Sequence, residues 1–416
     1  MKLTIEHYRK ALTFAPNPET LYRQLGKIYL MSDEFHKACD YYIQALTCSH
    51  KSRQIYREID ILIQQLYRKD FGLFSNICPK LLKLLKQHHE SLNNSTELLL
   101  LLGKTYQLLE DRDRASSYLK AAHCKKLASY YPDLLEEAQT SKRTHPPDFI
   151  VIGFWKCGTT SFYNYLSQNP KILPALTKEL RYFSRFSTQQ GYGTPADYLA
   201  YFPPINDSNY LTGEATPAYV IQPGLARHLR NWFPKLKIFI LLRNPIDRAV
   251  SNFYMVYSRI DPKYQSKLSD IRQLDLDCVD RIIELNQQHL KSSSLAKFYL
   301  EAIRKQYTEP TDLLTRSLHI SQYMRYLPQW FECFPREQIQ VIRSEDLFQN
   351  TAATMQKAYD FLGIEDRPLS EYRNVNSRRY NSIHPELRQQ LSEYFRPWNQ
   401  QLEEFLGRSM HWDEVT

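Results

Sequence analysis

Lys156, Gly158, Thr159 and Thr160 stand together in FIVIGFWKCGTTSFYNYLSQNP, which begins at Phe149. A loop that delivers Gly158, Thr159, Thr160 and Ser161 onto a helix N-terminus points several backbone N–H groups and the positive end of the helix dipole at one spot. That arrangement binds phosphate or sulfate oxygens. Gly153 and Gly158 have the spacing of a G-x-x-x-x-G-K-[ST] nucleotide loop, but Thr159 occupies the lysine position and the only lysine, Lys156, lies inside the loop. A second run, KIFILLRNPIDRAVSNF, is an apolar strand ending in Arg243, where a nucleotide-hydrolysing strand would end in a magnesium-binding Asp. Arginine is a permanent cation with a bidentate fork suited to phosphate, and Ser251, eight residues on and near a helix start, adds a hydroxyl donor.

These residues need elements to carry them. The β-branched run before Gly153, the glycine-bounded loop and the amphipathic stretch ending at Pro170 read as strand, loop, helix. The run before Arg243 reads as another strand. Two anion sites at neighbouring strand ends, without a metal carboxylate, suit a ligand with phosphate at both ends of an adenosine. That is the shape of 3′-phosphoadenosine 5′-phosphosulfate (PAPS).

From about Pro147 to the C-terminus the chain resembles the PAPS-dependent sulfotransferases, and most closely the carbohydrate branch typified by the heparan sulfate 3-O- and N-sulfotransferases. WKCGTTSF resembles the family's 5′-phosphosulfate loop, K-x-G-T-[ST]. LLRNPIDRAVSNF resembles its 3′-phosphate motif, L-R-x-P-x-x-R-x-x-S. KELRYFS resembles the K-E-x-x-[FY]-F segment, GEATPAY the segment ending in T-P-x-Y, and RSLHISQYMRYLPQWFECFPREQIQVIRSEDL supplies a helix, a strand and an acidic loop in the family's order.

The resemblance implies roles. Lys156, Cys157, Gly158, Thr159, Thr160 and Ser161 form the phosphosulfate loop, with Lys156 also stabilising charge on the leaving oxygen. Arg243 and Ser251 take the 3′-phosphate, a helix cap being the plainer reading of Ser251. Glu179 is the base that accepts the acceptor's proton if burial raises its pKa, and Glu214 stands in reserve or holds Lys178, Arg181 or the loop. Arg248 makes either a ligand contact or a structural ion pair. Arg378, Arg379 and Tyr380 form a basic loop over the cofactor or a charged surface turn.

Three positions depart from the family pattern. Ala215 replaces a lysine before T-P-A-Y. Cys157 stands where glycine or alanine is usual, which would expose the loop to thiol reagents. No cysteine follows Cys333. The aromatic stretch RYFSRF either lines a sugar cleft or packs a core.

The 416-residue chain is too long for one average domain, and its net charge of +9 favours an anionic partner. The seven cysteines are scattered without a C-x-x-C pair, which argues against a disulfide framework or a zinc site. No apolar run reaches the roughly 18 residues of a membrane span, and the polar opening MKLTIEHYRKALTF is unlike a signal peptide. A cytoplasmic protein is expected.

Before the linker the chain repeats itself. Tyr22, Leu25, Gly26, Tyr29, Ala38, Tyr42 and Ala45 fall in tetratricopeptide register, and Leu99, Leu102, Gly103, Tyr106, Ala115, Leu119 and Ala122 repeat it. Tyr8, Ala11 and Pro16 fit the second helix of a preceding unit, and residues 51–94 read as diverged helical hairpins.

The expected organisation is therefore an all-α tetratricopeptide-type solenoid over 1–140, a linker over 141–147 marked by Pro146 and Pro147, and over 148–416 a three-layer α/β fold of P-loop type with a central parallel sheet. The expected function is sulfuryl transfer from PAPS to a carbohydrate hydroxyl or amine, with no metal and no nucleic acid, and with a protein partner on the repeats. Two alternatives stand beside it, a nucleotide-dependent phosphotransferase and a protein-binding scaffold with an inert second domain.

Overall fold

The computed structural model describes residues 2–48, 53–91, 95–141, 146–184, 193–205, 207, 209–257, 317–367, 369, 371–373, 383 and 385–412. The chain separates into two compact units. The first comprises 1–146 together with 174–212, and the second comprises 147–173 together with 213–416. The return of 174–212 to the first unit has no compositional signal.

Eight helices open the first unit: α1 (Lys2–Leu12), α2 (Glu19–Met31), α3 (Phe35–Cys48), α4 (Arg53–Lys69), α5 (Phe71–Ser91), α6 (Thr96–Leu108), α7 (Arg112–Tyr130) and α8 (Leu135–Thr140). The small residues do what close helix packing requires. A Cβ on Gly26 would lie 2.8 Å from the Tyr42 ring, and one on Gly103 would lie 2.6 Å from Leu119 Cγ. Leu25, Ala38, Tyr42 and Ala45 are fully buried, as are Leu102, Leu119 and Ala122.

The two hairpins, α2 with α3 and α6 with α7, also share a turn. Asp33 and Glu110, each seven residues beyond its glycine, are left-handed at φ 58° and 60°. The following amides donate to equivalent carbonyls, Glu34 N to Tyr29 O and Asp111 N to Tyr106 O. Between the hairpins, α4 and α5 form a longer pair whose apolar faces join the same core through Ile55, Ile59, Leu62, Phe74, Leu81 and Leu85. Ala11 and Pro16 are exposed, so the opening helix does not reproduce a full repeat interface.

The second unit is built on a five-stranded sheet ordered β2-β3-β1-β4-β5. Its strands are β1 (Phe149–Val151), β2 (Ile172–Pro174), β3 (Leu211–Ala215), β4 (Lys237–Leu242) and β5 (Ile339–Arg343). β1 pairs in parallel with β3 and with β4, and β4 with β5. All three residues of β1, and the last five of β4, are buried, which explains the unbroken apolar runs.

β1 is flanked by β3 on one side and β4 on the other, and its chain leaves through a loop into α9 (Thr159–Leu166), with α10 (Pro195–Leu199) preceding β3 and α11 (Leu225–Trp232) preceding β4. Such a position at the carboxyl ends of parallel strands is where open α/β sheets bind ligands. Next to it, β4 runs directly into Arg243 and α12 (Pro245–Tyr257), and β5 into α14 (Ser344–Gln349); α13 (Pro328–Cys333) precedes β5. The described chain closes with α15 (Thr351–Leu362) and α16 (Pro385–Leu406). The expected acidic loop after β5 is thus a helix, with Glu345 and Asp346 in its first turn.

Candidate active site

The loop from Gly153 to Gly158 is held on all sides. A Cβ at Gly153 would lie 2.1 Å from the Leu241 amide nitrogen, so only glycine lets the loop leave β1 against β4. Gly158 caps α9 at φ 82°, and a Cβ there would meet the Phe348 ring at 2.8 Å. Lys156 is also left-handed, at φ 73°, a conformation that costs a non-glycine residue on the order of 1 kcal/mol. The loop therefore curls twice before the helix begins. Gly158 offers no side-chain cap, and a helix has no internal acceptors for its leading N–H groups, so the start of α9 is a backbone geometry that suits an anion.

Arg243 joins this loop directly. Its Nη1 donates to Lys156 O at 3.3 Å, tying the end of β4 to the middle of the loop. Its other side-chain donors have no partner among the described residues, and neither does the half-buried Lys156 ammonium. Ser251 lies inside α12 rather than at its start, because Asn244 caps that helix through the amides of Ile246 and Asp247. The helix-cap reading of Ser251 is thereby overturned. Its side chain is 3% exposed and bonds to no described residue.

Arg248, three residues earlier on the same helix face, is completely buried. Its Nε donates to Ser321 Oγ at 2.7 Å and its Nη2 to Ser317 O, while Nη1 has no partner among the described residues. These acceptors are neutral, so the ion pair entertained for Arg248 is not what holds it. A buried guanidinium facing neutral acceptors leaves uncompensated positive charge beside the loop, and that charge pulls against the rise in the Cys157 pKa.

Cys157 corrects a second expectation. Its side chain is fully buried, and burial pushes the thiol pKa up to about 12 despite Arg248 and Arg243. A thiol that neither ionises nor meets solvent is a poor target for thiol reagents. Its role is to anchor the loop: Cys157 O accepts from Ser344 Oγ at 2.8 Å, and the same hydroxyl bonds Leu242 O.

Glu179 belongs to the first unit. Its backbone is left-handed at φ 58°, as is that of Arg181 at 52°. One carboxylate oxygen accepts from Lys178 Nζ at 3.0 Å and the other from Arg181 Nη2 at 2.5 Å. Burial alone would raise its pKa, but the two cations outweigh burial and hold the carboxyl below its ordinary value. The raised pKa expected of this residue is not found. What the turn presents is an ionised carboxylate between two cations.

Glu214 is fully buried at the end of β3 and accepts from Thr216 Oγ1 at 2.5 Å. Tyr182 and Phe183 are buried against Tyr198 and Tyr201, so this part of RYFSRF packs a core. Arg378, Arg379 and Tyr380 lie outside the described residues.

A family model described as Sulfotransferase domain matches residues 146–390. The chain belongs to this family. Among curated relatives, the membrane-associated sulfotransferase kil1 of Dictyostelium discoideum is 24% identical over 64% of this chain and 66% of its own length. The heparan sulfate glucosamine 3-O-sulfotransferase 5 of Homo sapiens is 23% identical, with 64% of this chain and 74% of the relative covered. The bifunctional heparan sulfate N-deacetylase/N-sulfotransferase 1 of Caenorhabditis briggsae is 25% identical over 66% of this chain, which spans only 32% of that protein. The crystal structure of a sulfotransferase from Alicyclobacillus acidocaldarius aligns over 65% of this chain and all of its own, at 26% identity and a TM-score of 0.46. The protein is a sulfotransferase enzyme.

In this sulfotransferase, several residues that shape the turn after β4 and the loop before α9 carry no motif signal of their own. Tyr323 is fully buried, packs on Phe154 at 4.6 Å, and donates its hydroxyl to Arg243 O at 2.6 Å. Glu345 accepts from the Asn244 amide at 2.8 Å and from Trp412 Nε1 at 3.3 Å, fixing the turn after β4. Ser344 and Glu345 follow β5 directly, at the same strand ends as the loop. The only clue in sequence is polar residues immediately after an apolar strand, which is common to most strand ends.

Proposed function

We propose that this sulfotransferase moves a sulfuryl group from PAPS to a hydroxyl or amine of a carbohydrate. One observation carries the donor reading: four donors in the second unit lack partners among the described residues for some or all of their N–H and O–H groups. They are Lys156, Arg243, Ser251 and the buried Nη1 of Arg248, and Arg243 is bonded to the loop that precedes α9. Buried polar groups without partners are costly, so donors left unpaired in this way fit an anionic ligand. Their division between one loop and one helix fits a ligand with two anionic ends. The carbohydrate reading draws on the relatives named for heparan sulfate and on the chain's net charge of +9.

PAPS supplies the sulfuryl group and leaves as adenosine 3′,5′-bisphosphate. The α9 amides and Lys156 orient the phosphosulfate end, and Lys156 stabilises the negative charge that grows on the leaving 5′-phosphate oxygen as its bond to sulfur breaks. Arg243 and Ser251 hold the 3′-phosphate. The acceptor oxygen or nitrogen forms the new bond to sulfur and its proton passes to Glu179, which the neighbouring cations keep ionised. The paired hairpins of the first unit serve as tetratricopeptide-type repeats that engage a protein partner.

Incubating the protein with PAPS carrying radiolabelled sulfur and a panel of desulfated polysaccharides, phenols and tyrosine peptides tests the acceptor class. Label in polysaccharide, matched by equimolar bisphosphate, is expected. Label confined to phenols or peptides overturns the carbohydrate assignment.

A further inference from the structure

The segment 174–212 carries Glu179 but packs with the helices of the first unit, and polar bonds fasten it there at both sides of the Glu179 turn. Before the turn, Lys126 of α7 donates to Ala175 O at 2.6 Å and to Pro174 O at 3.4 Å. After it, Arg68 of α4 donates to Ser184 O at 2.6 Å. Tyr201 forms a knot between them. Its carbonyl accepts from the Leu176 amide at 3.0 Å and from the His123 ring, and its hydroxyl donates to Gln107 Oε1. Gln107 in turn donates to Asp197 O at 2.8 Å, and Arg112 pairs with the Asp197 carboxylate at 3.5 Å.

These are unusual bonds for a surface loop. Lys126 is half-buried and donates to two carbonyls rather than to a carboxylate, and burial lowers its pKa to about 8. Desolvating an ammonium is expensive, and a neutral side chain would hold the loop at lower cost. Between the two fastenings, Glu179 and Arg181 adopt left-handed backbone conformations that isolated residues avoid. Such strain persists only where surrounding structure over-determines it.

We propose that the helical unit is a scaffold for the Glu179 turn, with Lys126, Gln107 and Arg68 as positioning residues for the transfer reaction. This rests on the assignment of Glu179 as the proton acceptor. It gives the helices a part in catalysis separate from any partner they bind. Because a carboxylate displaced by about 1 Å costs on the order of a hundredfold in rate, the fastening residues act on kcat while leaving the phosphate loop untouched.

The test uses the full-length protein with Lys126→Met, Gln107→Leu, Arg68→Met and the conservative Lys126→Arg. Four quantities are measured: kcat, acceptor KM, the Kd for adenosine 3′,5′-bisphosphate, and hydrogen exchange in peptides covering 174–184. The expected result is a fall in kcat of tenfold or more for Lys126→Met and Gln107→Leu, with the bisphosphate Kd within twofold of wild type. Exchange accelerates in 174–184, and Lys126→Arg recovers most of the rate. Arg68 lies on the surface, so Arg68→Met reports on the same turn even if a core variant fails to fold.

Unchanged kcat with faster exchange would overturn the proposal, as would parallel loss of kcat and bisphosphate affinity. Glu179→Gln is run beside them. If that variant keeps full activity while the bisphosphate still binds, the assignment of Glu179 fails and the scaffold role fails with it, but the donor site stands.

Discussion

At the scale of single residues, the site is set by where charge is and is not neutralised. Glu179 sits between Lys178 and Arg181, and its pKa is lowered because those cations outweigh its burial. Removing one cation must therefore raise it. Arg181→Ala is expected to move the acid limb of the kcat/KM profile to higher pH, since the base becomes protonated earlier as pH falls. A limb that stays in place or moves down would show that another group controls it. Cys157 gives the opposite kind of expectation. Its thiol is buried with a pKa near 12, whereas Cys48 is exposed, so iodoacetamide at neutral pH should label Cys48 and leave bisphosphate binding intact. Mass spectrometry of the labelled protein checks this, and inactivation that tracks Cys157 labelling would contradict it. Motif spacing points to Lys156 and Arg243 because cation type and glycine placement are local properties. It misjudged the pKa of Glu179 and the accessibility of Cys157 because pKa and burial depend on neighbours that only the fold brings near.

At the scale of elements, the glycines and the strand ends carry the argument. Gly103 packs so closely on α7 that an added Cβ meets Leu119 Cγ at 2.6 Å and Ala115 O at 3.3 Å. Gly103→Ala should lower stability by roughly 1–3 kcal/mol through overpacking, because a backbone carbonyl cannot swing aside. Gly72, where the nearest atom is 3.6 Å from the added Cβ, is the control and should gain stability through its helix propensity. Urea unfolding of both variants measures the difference, and equal effects would contradict the close-packing account. Helix pairs and strands were legible because 3.6-residue periodicity and unbroken apolar runs are written locally. The acidic residues after β5 read as a loop because polarity alone does not distinguish a loop from the first turn of a helix. Ser251 falls inside α12 because Asn244, one residue before Pro245, caps that helix, and a cap formed by a single side chain leaves little trace in apolar periodicity.

At the scale of the whole molecule, one chain divides into a helical unit and a sheet unit, and the helical unit takes in a piece of the matched family region, 174–212. This return was invisible in sequence because its fastenings, Lys126, Gln107 and His123, are single polar residues on otherwise ordinary helices. It has a pH signature. Burial, with help from Lys126, lowers the His123 pKa to about 3, far below its unfolded value near 6.5. A base held neutral in the fold contributes stability that is present above pH 6.5 and lost as pH falls toward 3, where the unfolded chain binds the extra proton. Between pH 6.5 and 4.5 the loss should reach about 2–3 kcal/mol. His123→Asn, which keeps a donor for Tyr201 O but does not titrate, should lose less when urea midpoints are compared at pH 7 and 4.5; an identical slope would place the acid sensitivity elsewhere. The most direct test of the central claim is calorimetric titration of the wild-type protein and Arg243→Ala with adenosine 3′,5′-bisphosphate in EDTA, with ADP as the control. Metal-free binding of the bisphosphate, weak binding of ADP and loss of binding in the variant are expected. Preference for ADP with magnesium, or no nucleotide binding by the wild type, would contradict the PAPS assignment.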